Sequence, residues 1–285
     1  MSEALNVRWT FADSAETEIM RAEVAGHRFP EHFHETWSVG CIDRGTCSFR
    51  ASGKSFVAGT GDVVVIPPYV VHTGGNGMGR LVYRMAYVGE RWLSSLSELV
   101  FGAACIDFPG VVLHDPLVAT QLSDALTPTP LPEAERKARL AQALIELLAR
   151  HGRAQSSRDE IRRVGLEHAL DTRSVLHMVG TDIVSRSALI RRFTRKFGLS
   201  PSRYLRNLRC VSAKPLMREG MAIVQVAQEL GFSDQAHLTR EFKKVHGITP
   251  GRYQKAVEQT VTVTSVQRGV GSAAQLVRPA RDGCS

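Results

Sequence analysis

The first ninety residues alternate between short apolar runs and clusters of turn-forming residues. The runs carry β-branched or aromatic side chains, which favour strands, and Gly, Pro or Asp separates most of them. The candidate strands are residues 36–42, 46–50, 54–57, 62–66 and 80–87. Strands this short, at a spacing of about ten residues, are typical of an antiparallel sandwich or barrel.

From residue 91 onward, the apolar positions recur with a helical period. The clearest amphipathic helix is predicted for residues 133–150, and its apolar stripe consists of Leu140, Leu144, Leu147 and Leu148. Such a stripe fits a helix packed on its own barrel, and it also fits the seam of a dimer. The polar residues 151–157 then predict a helix end and a linker, so we place a domain boundary there.

The strongest local signal lies in a basic, helical region, residues 159–257. The segment 231–253 reads GFSDQAHLTREFKKVHGITPGRY. Gly231 permits the left-handed corner of a turn, and Ser233 or Asp234 can cap the helix that follows.

That helix has one apolar face and several polar ones. Leu238 and Phe242 lie four residues apart on the apolar face, Gly247 ends the helix, and Pro250 prevents its continuation. A shorter amphipathic helix, residues 223–230, precedes the Gly corner. Two short helices joined at such a corner, the second polar and basic, predict a helix-turn-helix for the DNA major groove.

The same pattern occurs a second time, 49 residues earlier in the chain. The shift places Asp234 on Ser185, Ala236 on Ser187, Leu238 on Leu189, Arg240 on Arg191, Phe242 on Phe193, Lys244 on Arg195, Gly247 on Gly198, Thr249 on Ser200, Pro250 on Pro201, Arg252 on Arg203 and Tyr253 on Tyr204. So many matches at one offset indicate an internal repeat. One chain can therefore place two recognition helices in successive turns of the major groove.

The first copy departs from the second at its corner. Asp182 stands where the second copy has Gly231, at a cost to the left-handed turn, and Met178 replaces a small alanine. Between the copies, Pro215 lies inside a predicted linking helix, residues 202–219, where we expect a kink. We therefore expect the second copy to make the more dependable sequence-specific contacts with DNA.

The distribution of charge supports DNA binding. Residues 159–257 hold 18 basic and 9 acidic side chains, a net of +9, whereas the whole chain has a formal charge of +8. The remainder of the chain is therefore close to neutral. A solvated basic surface would explain a charge excess alone, but its coincidence with the repeat favours phosphate binding.

Cysteine usage and the N-terminus bear on localisation. The five cysteines are scattered and form no CxxC pair, which argues against a disulfide framework and against a structural zinc site. The N-terminus lacks the apolar core of a signal peptide, and no apolar run is long enough to span a membrane. We expect a cytoplasmic protein.

Two histidine patterns frame the predicted barrel. His32 and His34 form an H-x-H pair, and His72 follows a Gly-Asp strand and two prolines. Three imidazoles can bind Zn²⁺ or Fe²⁺, and they can equally serve as neutral hydrogen-bonding groups in a pocket for an organic ligand. Candidate apolar walls of such a pocket are Trp37, Phe49, Tyr69 and Tyr83, each of which is also compatible with ordinary core packing.

Together these patterns resemble the two half-motifs of a cupin barrel. In metal-binding cupins the corresponding histidines act with a Glu, but Ser38 and Val39 stand at the places expected for it. Glu35 is adjacent to His34, so on a strand its side chain should point the other way. We therefore predict an effector pocket at His32, His34, Trp37, Tyr69 and His72, and no metal, with the three histidines as the lesser, metal-binding alternative.

The whole chain resembles the AraC/XylS family of transcriptional regulators. The segment 227–253 is close to that family's signature, and residues 185–204 are the expected partner copy. The resemblance implies a ligand-responsive, promoter-binding regulator whose effector domain also dimerises.

By the same resemblance, two sets of residues are expected to contact DNA. Base contacts are assigned to Ser187, Ile190, Arg191, Gln235, Ala236, His237, Thr239 and Arg240. Phosphate contacts, which position the protein without reading sequence, are assigned to Arg186, Arg192, Arg195, Lys196, Lys243 and Lys244. Arg191 and Arg240 have the geometry to chelate guanine, and Gln235 to pair with adenine.

These observations predict an α+β protein: a cupin-like β-barrel followed by an all-α domain with two helix-turn-helix motifs. The expected domains are a cupin-like effector domain (1–110), a helical dimerisation or linker segment (111–158), a DNA-binding domain (159–257) and a disordered tail (258–285). We predict a small-molecule-responsive regulator of promoter DNA that has no catalytic residues and no cofactor. Its expected partners are a second copy of the chain and, if it activates, RNA polymerase.

The competing hypothesis is an enzyme or metal sensor. In that case a cupin-type metal centre would use His32, His34 and His72, with the basic domain as an appendage.

Overall fold

The computed structural model of the protein describes residues 4–12, 17–75, 79–104, 106–129, 131–154 and 185–258. The larger of its two main sheets is antiparallel and contains, in spatial order, β1 (Ala4–Ala12), β2 (Thr17–Ala25), β9 (Arg80–Val88), β4 (Trp37–Arg44), β7 (Asp62–Ile66) and β11 (Val112–His114). The smaller sheet contains β3 (Arg28–His32), β8 (His72–Gly75), β5 (Thr46–Ala51) and β6 (Lys54–Gly59). The five strands predicted from the sequence are all present, within a few residues at their ends.

The larger sheet is buried on both faces, because successive side chains of a strand point to opposite sides. On β7, Val64 and Ile66 face the barrel interior, whereas Val63 and Val65 belong to a separate core on the outer face. On β4, Trp37 also faces that outer core. This alternation decides which of the predicted pocket residues can reach the interior.

Three helices cover the outer face: α1 (Glu90–Phe101), α2 (Pro116–Ala125) and α3 (Glu133–His151). Asp115 caps α2 by accepting a hydrogen bond from the Val118 amide, and it also binds Arg150 and His151 at the end of α3. A short two-stranded sheet joins β10 (Ile106–Asp107) to β12 (Arg153–Ala154).

The leucine stripe of α3 is packed within this layer. Leu140, Leu144, Leu147 and Leu148 are each at most 1% exposed. The stripe therefore packs on its own barrel, and it is not available as the seam of a dimer.

The C-terminal region consists of α4 (Arg186–Phe197), α5 (Pro201–Arg218), α6 (Ile223–Glu229), α7 (Gln235–His246) and the helical residues 250–258. α5 matches the predicted linking helix, and it continues through Pro215 to Arg218. The second motif has the predicted turn chemistry. Gly231 has a φ of 69°, Asp234 caps α7 by accepting from the His237 amide at 2.6 Å, and Gly247 ends the helix with a φ of 74°.

Some predicted features lie outside the described residues. They include the corner of the first motif at Met178 and Asp182, and the tail beyond residue 258. Within the described part of the chain, no helix is both long and apolar enough to cross a bilayer.

The helical region packs directly on the barrel. One continuous core contains Phe29 and Tyr87 of the barrel together with Phe242, Val245 and Tyr253 of the C-terminal region. A smaller core joins residues of α4 and α5 to the loop after β3, and its members are Phe33, Phe193, Leu199, Tyr204, Leu205, Leu208 and Val211.

Candidate DNA-binding surface and effector site

The surface of α7 separates into a buried and an exposed face. Leu238 and Phe242 are fully buried, as the four-residue spacing predicts. The predicted base-contact residues lie on the other face and are exposed or half-buried: Gln235, Ala236, His237, Thr239 and Arg240. His237 is partly engaged, since its ring contacts Phe232 and its Nδ1 lies 3.1 Å from the Ser233 hydroxyl.

The same division holds for α4. Phe193 is fully buried, whereas the predicted base-contact residues Ser187, Ile190 and Arg191 are exposed. Unlike α7, this helix has no side-chain hydrogen bond at its N-cap, Ser185, whose hydroxyl instead lies 2.8 Å from that of Ser187.

The predicted phosphate contacts are all exposed: Arg186, Arg192, Arg195, Lys196, Lys243 and Lys244. Lys244 is held by Glu241, at 2.6 Å, on the same helix. Exposed cations beside the base-contact faces are what a helix needs to hold its register on a duplex.

A buried charge cluster joins the barrel to the helical region. Lys214 of α5 is 1% exposed, and its Nζ lies 2.5 Å from Glu18 and 3.4 Å from Glu35. Glu18 also accepts a hydrogen bond from the Tyr253 hydroxyl at 2.5 Å and pairs with Arg218 at 3.3 Å. Burial alone would lower the pKa of Lys214, but the two carboxylates raise it above its usual value, so Lys214 keeps its positive charge.

Three imidazoles meet inside the barrel, at the end that faces this seam. His32, His34 and His72 are buried, and their candidate ligand nitrogens all lie within 4.8 Å of one another. The ring centroids are 4.4 Å apart for His32 and His72, 4.9 Å for His32 and His34, and 5.4 Å for His34 and His72. Glu35 is not part of this cluster, in keeping with its predicted orientation.

Backbone carbonyls orient two of the rings. His32 Nδ1 lies 2.7 Å from the Pro30 carbonyl, and His72 Nδ1 lies 2.9 Å from the Val70 carbonyl. A carbonyl oxygen can only accept, so both Nδ1 atoms carry the proton and both Nε2 atoms keep a lone pair. Burial, together with the repulsion that would arise if His72 were also charged, lowers the pKa of His32 to about 3, and burial lowers that of His72 to about 4. Both rings are therefore neutral.

Helix α7 reaches this cluster with its last residue. His246 is 1% exposed, and its ring centroid lies 5.8 Å from that of His34. On its own helix it packs against Phe242 at 4.3 Å, and its Nε2 lies 3.4 Å from the Cys210 carbonyl. The end of α7 thus forms part of the wall of the barrel site.

The cavity at the histidines is small, with a volume of about 60 Å³. Its walls include Phe49 and Tyr83, as predicted, together with Val245 and His246 of α7. Trp37 does not reach it, because this side chain faces the opposite side of β4 and packs on Phe108. We therefore withdraw Trp37 from the predicted pocket.

Tyr69 lines a different and larger space, a cleft of about 340 Å³ between the barrel and the end of α4. Three exposed cations line this cleft: Arg50 from β5 and Arg195 and Lys196 from α4. Tyr69 itself has a φ of 60°, and its amide donates to the His34 carbonyl at 2.8 Å, so the cleft and the histidine cavity share a wall.

The sequence interpretation missed the roles of Glu18, Lys214 and His246. A signal was present for the last two. Lys214 interrupts the apolar stripe of α5, between Val211 and Met217, and His246 extends the stripe of Leu238 and Phe242 by one further turn. A charged or polar residue on an otherwise apolar face indicates a buried partner.

Comparison with known proteins agrees with this architecture. Residues 15–163 match the AraC-like ligand binding domain, and residues 183–256 match a helix-turn-helix domain. The transcriptional regulator YbfI of Bacillus subtilis is 26% identical over 224 residues, which cover 74% of this chain and 82% of the relative. The transcriptional activator RhaS of Escherichia coli is 23% identical over 240 residues, covering 78% and 86%.

Solved structures share the fold. A structure of ToxT from Vibrio cholerae has a TM-score of 0.51 at 11% identity, and covers 85% of this chain and 98% of that one. A ligand-binding barrel joined to DNA-binding helices defines a transcriptional regulator. The chain belongs to the AraC family, since the family match spans more than half of its length. The fold class and the family predicted from the sequence are thus confirmed.

Proposed function

We propose that α4 and α7 bind neighbouring turns of the major groove of promoter DNA. The observation that carries this proposal is the common division of the two helices. Each buries one phenylalanine, Phe193 or Phe242, and leaves its predicted base-contact side chains exposed. A recognition helix needs this division, because one face must anchor it while the other enters the groove.

Within that surface, two arginines carry most of the sequence discrimination. Arg191 and Arg240 are exposed and occupy equivalent places in the two helices, and each can form a bidentate contact with guanine. Gln235 pairs with adenine, while Lys243 and the other exposed cations bind phosphates.

The effector acts at the seam between the two regions. The cleft beside Tyr69 has the volume of a small-molecule site, and it is lined both by the barrel and by α4. A ligand there would contact Arg50 on one side and Arg195 on the other, and Arg195 is a proposed phosphate contact. Ligand binding would therefore alter how the DNA-binding surface is held.

Three further features belong to the proposal. The regulator acts in the cytoplasm as a homodimer, and if it activates transcription it contacts RNA polymerase. The dimer must use a surface other than the leucine stripe of α3, which is buried. Sedimentation of the full-length protein, with and without DNA, measures this state.

The test of the DNA proposal begins with selection of binding sites from random duplexes, followed by anisotropy titrations on selected and scrambled DNA. Arg240→Ala should reduce the preference for selected DNA by about 1–3 kcal/mol. Lys243→Ala is the matched control, because it also removes one long, positively charged side chain from α7. It should weaken binding to both duplexes about equally. An unchanged preference in Arg240→Ala would remove its base-reading role.

Salt dependence gives a second measure. If several phosphates are contacted, the logarithm of the binding constant falls linearly with the logarithm of salt concentration, with a slope of about −0.9 per contact. A flat dependence would contradict the assignment of Lys243 and Arg195 to phosphates.

A further inference from the structure

The spacing of His32, His34 and His72 matches that of imidazoles around one metal ion. Zn–N bonds of about 2.0–2.1 Å at a tetrahedral centre place neighbouring ring centroids about 5 Å apart. The three distances here are 4.4, 4.9 and 5.4 Å. Packed rings in general lie at similar distances, so this spacing permits a shared ion, and the orientation of the rings carries the argument further.

The rings are also in the form and orientation that a metal requires. The Pro30 and Val70 carbonyls accept from the Nδ1 atoms of His32 and His72, which leaves both Nε2 lone pairs available. Histidine ligands of metals are usually held by such a hydrogen bond from the other ring nitrogen. Each of these rings is therefore pre-oriented by the backbone carbonyl that lies two residues before it in the chain.

The third histidine, His34, is buried with one ring nitrogen that has no hydrogen-bond partner among the described residues. The residue is 3% exposed, and the nitrogen is its Nδ1. A buried polar nitrogen without a partner costs about 1–3 kcal/mol. A bound ion with its water ligands would provide polar partners at this site.

The size of the cavity distinguishes an ion from an organic ligand. A volume of about 60 Å³ holds an ion with one or two waters. Pockets for organic ligands are typically about 300–1,000 Å³. The space at the histidines is thus too small for such a ligand while α7 is docked as it is here.

We propose that His32, His34 and His72 bind one divalent transition-metal ion of the zinc type, and that His246 transmits its occupancy to the recognition helix α7. Imidazole nitrogen suits Zn²⁺, and three histidines leave a position open for water. His246 contacts His34 from the end of α7, so an ion that fixes the His34 ring also fixes the last turn of that helix. The regulatory half of this inference rests on the DNA-binding function proposed above.

Neighbouring groups do not replace these ligands. Cys47 lines the cavity, but its thiol donates to the Gly75 carbonyl, and burial raises its pKa to about 11. Glu35 faces Lys214. The ligand set is therefore the three imidazoles.

The first experiment measures binding in the full-length, untagged protein after dialysis against EDTA. Calorimetric titration with Zn²⁺ should give one site per chain, and Co²⁺ should give the visible absorption of a nitrogen-ligated ion. His34→Gln and His72→Gln should each lose at least tenfold in Zn²⁺ affinity. His114→Gln, which changes an exposed histidine, is the matched control and should bind like the parent.

The Co²⁺ spectrum of the unaltered protein keeps the inference testable if the variants fail to fold. No stoichiometric Zn²⁺ uptake, or a spectrum without nitrogen ligation, overturns it. So does full affinity in a folded His72→Gln, with folding checked by circular dichroism in EDTA.

The second experiment measures coupling to DNA. Binding to a selected duplex should differ between Zn²⁺-loaded and EDTA-treated protein by about 5- to 150-fold, and DNA should change the Zn²⁺ affinity by the same factor. His246→Leu preserves apolar packing at the end of α7 and should remove most of this difference while one Zn²⁺ still binds. Equal DNA affinity with and without Zn²⁺, or full coupling in His246→Leu, overturns the regulatory half.

The two proposals fail in different ways. Loss of the metal site shows in calorimetry and leaves DNA binding in EDTA unchanged. Failure of the proposed function would show as absent DNA selectivity at every metal concentration.

Discussion

The two recognition helices derive from one repeated pattern, yet they meet the barrel in different ways. α7 ends inside the main core, where Val245, His246 and Ile248 are buried together with barrel residues. α4 is anchored by Phe193 in a smaller core, and its end lies beside the open cleft of about 340 Å³. Equivalent residues of a repeat thus have different surroundings.

Under the two proposals above, this difference gives the helices different roles in regulation. Any change at the barrel histidines reaches α7 directly, through His246. A ligand in the cleft reaches α4 instead, through Arg195 and Lys196. The proposals therefore give one chain two routes from effector domain to DNA, and the following substitutions separate them.

The largest effect is expected from Lys214→Met. It removes the buried cation that contacts both Glu18 and the half-buried Glu35, and it leaves Glu18 paired with Arg218 at 3.3 Å. The loss of one partner of a buried pair costs about 3–5 kcal/mol, and the remaining contact with Arg218 places the expected cost at the lower end of that range. Urea denaturation of the full-length protein measures this cost. Arg203→Ala, which breaks an exposed pair with Glu31 at the α4 side of the seam, should cost about 1 kcal/mol or less. Equal costs would contradict the deeper burial of Lys214 and Glu18 relative to Arg203 and Glu31.

A second comparison uses the two glycines that end the recognition helices. Gly247 and Gly198 both have a positive φ, so alanine costs about 1–2 kcal/mol at either position. A methyl group at Gly247 would also lie 2.9 Å from Phe29, whereas at Gly198 its nearest contact is Val71 at 3.3 Å. Gly247→Ala should therefore lower the free energy of unfolding more than Gly198→Ala. The reverse order would contradict the tighter packing of the end of α7 against the barrel.

Substituting the two equivalent arginines measures how much sequence discrimination each helix provides. Arg240→Ala should remove about 1–3 kcal/mol of discrimination between duplexes. Arg191→Ala should remove less, because α7 has a side-chain N-cap and is anchored in the larger of the two cores. Competition binding on duplexes altered at single positions measures both. A larger loss at Arg191 would make the first motif the principal reader.

The smallest effect concerns the caps. Asp234→Ala removes the hydrogen bond to the His237 amide and should speed amide exchange in the first turn of α7, whereas Ser185→Ala should leave α4 unchanged. The His237 amide and the Ser233 hydroxyl lower the pKa of Asp234 below its ordinary 3.8. The cap is therefore fully effective above that pH and is lost as pH falls through the lowered pKa. Exchange rates that do not respond to acid would contradict it.

Much of the fold could be predicted because its signals are local. Alternating residues located five strands, and Gly231, Asp234 and Gly247 fixed a turn, a cap and a helix end through their own backbone preferences. Strands β1, β2, β10, β11 and β12 were not among the predicted strands. Neither were β3 and β8, whose His, Gly and Pro residues have weak strand propensity and are held by pairing with each other.

The site was only partly predictable. The H-x-H pair and His72 were recognised from their motifs, and the structure brings them together. Trp37 was assigned to the wrong face, because its orientation depends on the strand register of β4. The leucines of α3 fitted two environments equally well until the packing partner was known.

The sequence by itself determined the repeat, the periodicity of each helix and the identity of the family, since all three depend on neighbouring positions along the chain. Only the tertiary structure decided what each buried face contacts. Lys214 and Glu18 are separated by about two hundred positions, and so are His246 and His34. Contacts at such separations arise from the docking of complete elements, and no local spacing encodes them.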